Sequence, residues 1–232
     1  VSSAKIINKI RWLGLLGLVF AMPLLMSGIH AGATMDSGLF QTLMRNQYGT
    51  QRLLVAQRWQ QLLAGLSAQP ETRKVQLVNQ FFATQVRYRT DQLLYKQQDY
   101  WATPLETLGQ GLGDCEDYAI AKYASLRMLG IADNKLRLIY VKAQIGGPRS
   151  QEFQAHMVLG YYPTPSSQPI ILDSLTSAIL PAAKRTDLYP VFSFNSEGLW
   201  TATSTHSVAD PRARLSRWHS VLKKMEQQGV RW

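Results

Sequence analysis

The chain has 232 residues, a hydrophobic fraction of 46%, a charged fraction of 17% and a formal net charge of +10. That is enough for one soluble globular domain with a real core, and no fixed-period repeat or low-complexity tract is present. The basic excess does not point to nucleic acid, because basic and aromatic residues do not interleave as in an RNA or DNA module; it reads as a solvated basic surface, suited at most to an acidic partner or to membrane headgroups.

The first 33 residues stand apart. Lys5, Lys9 and Arg11 precede an apolar run from Trp12 to Met26, and Ala31-Gly32-Ala33 follows as a small-x-small cleavage site. Basic, then apolar, then small is the order of a secretory signal peptide. As an uncleaved anchor the run is short and carries Pro23. Residues 1–33 are therefore expected to be a removed signal peptide and 34–232 a single domain, exported to a bacterial periplasm. Removal takes away three basic residues and no acid, lowering the net charge from +10 to +7.

The early part of the exported domain reads as helical. Val55, Trp59, Leu62 and Leu66 fall at helical spacing, as do Val75, Val78, Phe82 and Val86, with Pro70-Glu71 between the two runs. Arg87 to Pro104 reads as a long connection with short elements, and Gly109 to Gly113 as a flexible approach to the next helix. That helix begins at Asp114, a favoured N-cap with Asp117 three residues on, and stops at Gly130. Strands follow at Leu136–Ala143, Ala155–Tyr162 and Pro169–Leu175, and a hairpin is expected around Asn195-Ser196-Glu197-Gly198. Asp210 and Pro211 open a last helix with an apolar stripe of Leu215, Trp218, Leu222 and Met225 and an otherwise basic surface. Helices followed by an antiparallel sheet make the fold class α+β.

Cysteine usage is the sharpest clue. Exported proteins often carry cysteines in disulfide pairs, yet this chain has only Cys115. The spacing makes Cys115 the first residue of its helix, where free N–H groups and the helix dipole favour a thiolate, and the glycine-rich approach would leave the sulfur accessible. A thiolate nucleophile needs an imidazole to hold and return a proton. Of the four histidines, His30 lies in the signal segment, His206 in a polar stretch and His219 on the last helix. His156 opens a strand and shares its face with Val158 and Gly160. Asp173 ends the apolar run Ile170-Ile171-Leu172, where an acid is costly to bury unpaired. Adjacent antiparallel strands can set it beside His156 to fix the tautomer.

The blocks Trp101-Ala102-Thr103-Pro104, Gly113-Asp114-Cys115-Glu116-Asp117-Tyr118-Ala119, His156-Met157-Val158-Leu159 and Leu172-Asp173 resemble the bacterial transglutaminase-like cysteine proteinase family, from about Trp101 to Trp200. The resemblance implies a papain/transglutaminase-like fold with Cys115, His156 and Asp173 as the triad, and Asp114, Glu116 and Asp117 as calcium ligands. It further implies a calcium-dependent endopeptidase that clips a large surface adhesin near its N-terminus, at an Ala-Ala site, to control biofilm attachment. A LapD-like inner-membrane receptor of cyclic di-GMP would sequester it; no nucleic-acid partner is implied. Three carboxylates around one thiol should raise its pKa, and a hard cation with oxygen ligands would cancel their charge; acids at a helix start are favourable in any case. Thr103 is a further candidate ligand. The backbone N–H of Cys115 is the natural first oxyanion donor, with Trp101 as a candidate second. A transglutaminase or cell-wall amidase would use the same triad, and a non-catalytic binding module would keep the fold.

Overall fold

The computed structural model describes residues 32–232, so the signal-peptide reading of residues 1–33 lies almost wholly outside the described residues. A short strand, β1 (Thr34–Met35), pairs antiparallel with the last one, β10 (Val230–Arg231). Asp36 then caps α1 (Ser37–Leu66) by accepting from Leu39 N–H. α1 starts well before the apolar periodicity does, and it is kinked at Gly49, whose φ of 79° suits a residue without a side chain. α2 (Glu71–Gln85) follows at the Pro70 break.

The stretch expected to be an irregular connection is more ordered than its composition suggests. β2 (Arg87–Tyr88), α3 (Asp91–Leu94), α4 (Pro104–Gln110) and β3 (Leu112–Gly113) occupy it, and β2 pairs parallel with β3. Gly109 to Gly113 is thus the end of a helix and a strand, not a flexible approach. Thr103 and Glu106 form a full capping box on α4. At Gly113 a Cβ would come within 2.8 Å of Asp117 Oδ2, so the close approach to the next helix at that point depends on glycine.

α5 (Cys115–Met128) ends just before Gly130, as its sequence indicates. Nearly every residue of it is buried, which makes α5 the central helix of the domain. Trp59 Nε1 donates to Ser125 Oγ at 3.0 Å and ties α1 to it.

β4 (Leu136–Ile145), β5 (Glu152–Tyr161), β6 (Ile170–Leu172), β7 (Leu180–Pro181), β8 (Leu188–Phe194) and β9 (Leu199–Thr201) form one antiparallel sheet in the order β7-β6-β5-β4-β8-β9. Met157 and Leu159 of β5 join the large core shared with the helices. Val158 belongs to a smaller cluster with Ile139, Val141, Ala143 and Ile171. The alternation follows from the two-residue period of a strand. The tail is two helices, not one. Asp210 caps the single turn α6 (Pro211–Arg214), Leu215 is extended, and α7 (Ser216–Gln227) carries Trp218 into the core against Phe194 and Tyr123. No helix among the described residues is long and apolar enough to cross a membrane.

Candidate active site

Cys115 occupies the first position of α5 with Asp114 as N-cap, so the expected placement holds. Its accessibility does not: Cys115 is only 9% exposed. The thiol donates to Glu116 Oε2 at 2.7 Å. Burial, then the charges of Glu116 and Asp114, push the thiol pKa far up, and the Met157 N–H opposes them. In this arrangement the sulfur is a thiol held by a neighbouring acid.

β5, which carries His156, packs against α5. His156 pairs with Val141 across β4 and β5, and β4 has a register irregularity at Tyr140/Val141 on its other side. Bulges of this kind re-aim strands beside functional sites. His156 is 1% exposed, and its Nε2 lies 2.7 Å from Asp173 Oδ1. With Asp173 ionised, Nε2 carries the proton and donates it. Nδ1 is buried and has no hydrogen-bond partner among the described residues. The other two described histidines, His206 and His219, are exposed.

Asp173 sits just past β6, whose pairing with β5 sets Leu172 opposite Leu159. Burial alone would raise its pKa. Hydrogen bonds from His156, Leu175 N–H and Arg185 outweigh burial and hold the carboxyl well below the usual range. Arg185 Nη2 donates to Asp173 Oδ2 at 2.7 Å, and Lys122 Nζ donates to the Asp173 carbonyl at 2.9 Å. Lys122 is 1% exposed, and burial, opposed by Asp173, lowers its pKa to about 8. Neither cation was singled out in the sequence. Lys122 falls on the helix face that carries Cys115, which was a usable hint; nothing local marks Arg185.

The acids around Cys115 divide differently from their order in the chain. Asp114 and Asp117 gather with Asp91, their carboxylate oxygens within 4.8 Å of one another. Glu116 groups with Asp114 and Cys115, and also with Asp91 and Asp99. Asp91 lies in the segment read as a connection, so its role was not foreseen. Asp114 Oδ2 accepts from Asp91 N–H and Asp91 Oδ2 from Tyr100 N–H, while Asp114 Oδ1 and Asp91 Oδ1 are buried without partners among the described residues. Asp117 accepts from Ala102 N–H at 2.8 Å and from Asp114 N–H at 3.3 Å. Burial is the first cause of high pKa in all three. With repulsion from Glu116, Asp117 and Asp91, it pushes Asp114 to about 9; Asp91 rises to about 6, and Asp117 is raised well above its usual value. Buried carboxylates with orphan oxygens, crowded and unpaired, suit a hard cation with oxygen ligands. Thr103 instead caps α4 with its hydroxyl. Trp101 Nε1 donates to Asp99 Oδ1 at 2.9 Å and its ring stacks on Phe194, so its indole N–H is already engaged.

A family model for the bacterial transglutaminase-like cysteine proteinases matches residues 56–206, well over half of the chain. The chain belongs to this family. No curated protein matches this proteinase. Among solved structures, EGTA-treated LapG of Legionella pneumophila is similar to it, with 39% identity, a TM-score of 0.71, and coverage of 82% of this chain and 97% of that one. Calcium-bound LapG of the same organism is similar at 38% identity, with a TM-score of 0.70 and coverage of 82% and 98%. The fold of this proteinase is that of a transglutaminase-like enzyme, with its cysteine at a helix N-terminus and an antiparallel sheet behind it.

Proposed function

We propose that this proteinase is a calcium-dependent periplasmic endopeptidase with Cys115, His156 and Asp173 as its triad. The observation that carries the reading is the buried His156–Asp173 pair, 2.7 Å apart, with Nδ1 unpartnered among the described residues, on a strand packed against the helix that opens at the only thiol in the chain. His156 Nδ1 takes the thiol proton, and the sulfur attacks the scissile carbonyl carbon, whose π pair moves to oxygen. The backbone N–H of Cys115 is the first donor to that oxyanion. Collapse expels the amine, which takes its proton from His156 and leaves a thioester. Water, deprotonated by the same nitrogen, then attacks the thioester, releases the carboxylic acid and restores the thiol.

Asp91, Asp114 and Asp117, with Glu116 beside them, would hold the calcium ion. A bound ion would supply the positive charge that these carboxylates lack. Support comes from the two orphan oxygens and from the calcium-bound and EGTA-treated forms of LapG, which is 38–39% identical. The substrate we infer is a large surface adhesin, cut near its N-terminus at an Ala-Ala site and so released, under a LapD-like cyclic di-GMP receptor. This rests on the family resemblance, and periplasmic export rests on the basic, apolar and small order of residues 1–33.

The test is incubation with N-terminal adhesin fragments, with calcium or with chelator, followed by mass spectrometry of the products. Hydrolysis in calcium alone is expected. Cross-linked or transamidated products would instead mean a different acyl transfer, and uncut fragments under all conditions would remove the adhesin. Fractionation with N-terminal sequencing should find a periplasmic protein starting at or near Thr34; full-length protein confined to the membrane fraction would mean an anchor.

A further inference from the structure

A triad acid must keep its charge and point one oxygen at the histidine. Asp173 follows a three-residue strand, so little regular structure fixes it. Its Oδ1 accepts from His156 and from Leu175 N–H, at 2.7 and 3.0 Å. Among the described residues its Oδ2 has one donor, the Arg185 guanidinium. Without that donor, Oδ2 would be a buried acceptor with no partner, free to compete for the imidazole by rotation of the carboxylate. Arg185 is itself braced: Nε reaches Asp187 Oδ1 at 2.9 Å and Nη2 reaches Asp187 Oδ2 at 2.7 Å. Only 7% of Arg185 is exposed, and its Nη1 is buried with no partner among the described residues. A guanidinium this incompletely satisfied is costly to bury if it only fills space. The backbone of Asp173 is held separately, from α5, by Lys122.

We propose that Arg185, braced by Asp187, is a positioning residue that acts through Asp173, reserving Oδ1 for His156. The inference rests on the triad reading, and its test separates the two. The probe is the imidazole Nε2 proton of His156, which a buried carboxylate partner should hold at low field in the proton NMR spectrum and protect from exchange; its loss in His156→Gln assigns it. Arg185→Gln should move this resonance upfield or expose it to exchange, and should lower kcat on a cleavable adhesin fragment about tenfold or more, the size typical of outer groups that orient a reacting one, with KM little changed. Arg185→Lys keeps the charge without the fork and should fall between the two. The double variant Arg185→Gln/Asp173→Asn should be no slower than Asp173→Asn, because groups acting as a unit are not additive. An unmoved resonance in either folded variant, or losses that multiply in the double variant, would overturn the proposal while leaving the triad intact. A wild-type resonance and full activity in Asp173→Asn would instead remove the triad reading on which it stands.

Discussion

The candidate site contains two groups of buried carboxylates that are treated in opposite ways. On the sheet side, Asp173 meets Arg185, His156 and a backbone N–H, and the Lys122 ammonium sits on its carbonyl; its pKa is held low. On the helix side, Asp91, Asp114 and Asp117 form no ion pair among the described residues, and all three are pushed upward by burial first. The nearest compensation there is backbone N–H groups and the dipole of α5. One site brings its cations in the chain. The other has no cation paired with it among the described residues, and under the calcium reading proposed above its charge state depends on what the solution holds.

The largest effects should come from breaking the sheet-side assembly or its nucleophile. Cys115→Ala should abolish cleavage while leaving the circular dichroism spectrum unchanged, since Cys115 is the only thiol. His156→Ala should behave likewise. Asp173→Asn should cost on the order of 10⁴ in kcat, because the amide presents the wrong hydrogen-bonding partner to Nε2. An active Cys115→Ala protein would end the triad reading.

The helix side should respond to metal instead. Chelation should remove activity, and Ca²⁺ but not Mg²⁺ should restore it, because Mg²⁺ demands a tight octahedron and gives up water reluctantly. At a hundred times Kd, binding stabilises by about 2.7 kcal/mol, which is roughly 5–10 °C in Tm for a domain of this size. Asp91→Asn and Asp117→Asn should each reduce that shift and the activity together. Full activity in excess chelator with no shift in Tm would mean that these acids only cap and brace α5.

How much of this was legible in the sequence follows the same division. The helix side announced its chemistry locally: Asp114, Cys115, Glu116 and Asp117 are contiguous, and an N-cap followed by a buried helix is a short-range pattern. His156 and Asp173 were readable because strand alternation and neighbouring antiparallel strands are nearly local rules. Asp91 was hidden, because only the parallel pairing of Arg87–Tyr88 with Leu112–Gly113 brings its segment to Asp114. Arg185 was hidden for the same reason, twelve residues beyond Asp173 in a connection with no periodicity. The full burial of α5 was not legible, because burial on every side depends on α1, α2, α4 and the sheet arriving together. The break at Leu215 between α6 and α7 left no clear mark, since the apolar spacing runs across it.

The smallest expected effect, a slope of stability against pH, sharpens the comparison most. Asp173 has a folded pKa below its unfolded value of about 4. Its contribution is present above pH 4 and is lost as pH falls through the acid range. Asp91 and Asp114 have the opposite sign, with folded values of about 6 and about 9. The fold favours their protonated forms, so their contribution is present below pH 4 and is lost as pH rises from there towards 9. In chelator, Tm should therefore decline between pH 6 and pH 9. In saturating calcium the decline should flatten, because the ion favours the ionised carboxylates, so the Tm gain from calcium should grow with pH. Below pH 4 both samples should lose stability together, and Asp173→Asn should lessen that loss. Thermal melts at fixed ionic strength, with and without calcium, test both limbs. Parallel melting curves across pH 6 to 9 would mean that the helix-side acids are not waiting for a cation, and that the two flanks differ only in their hydrogen bonds.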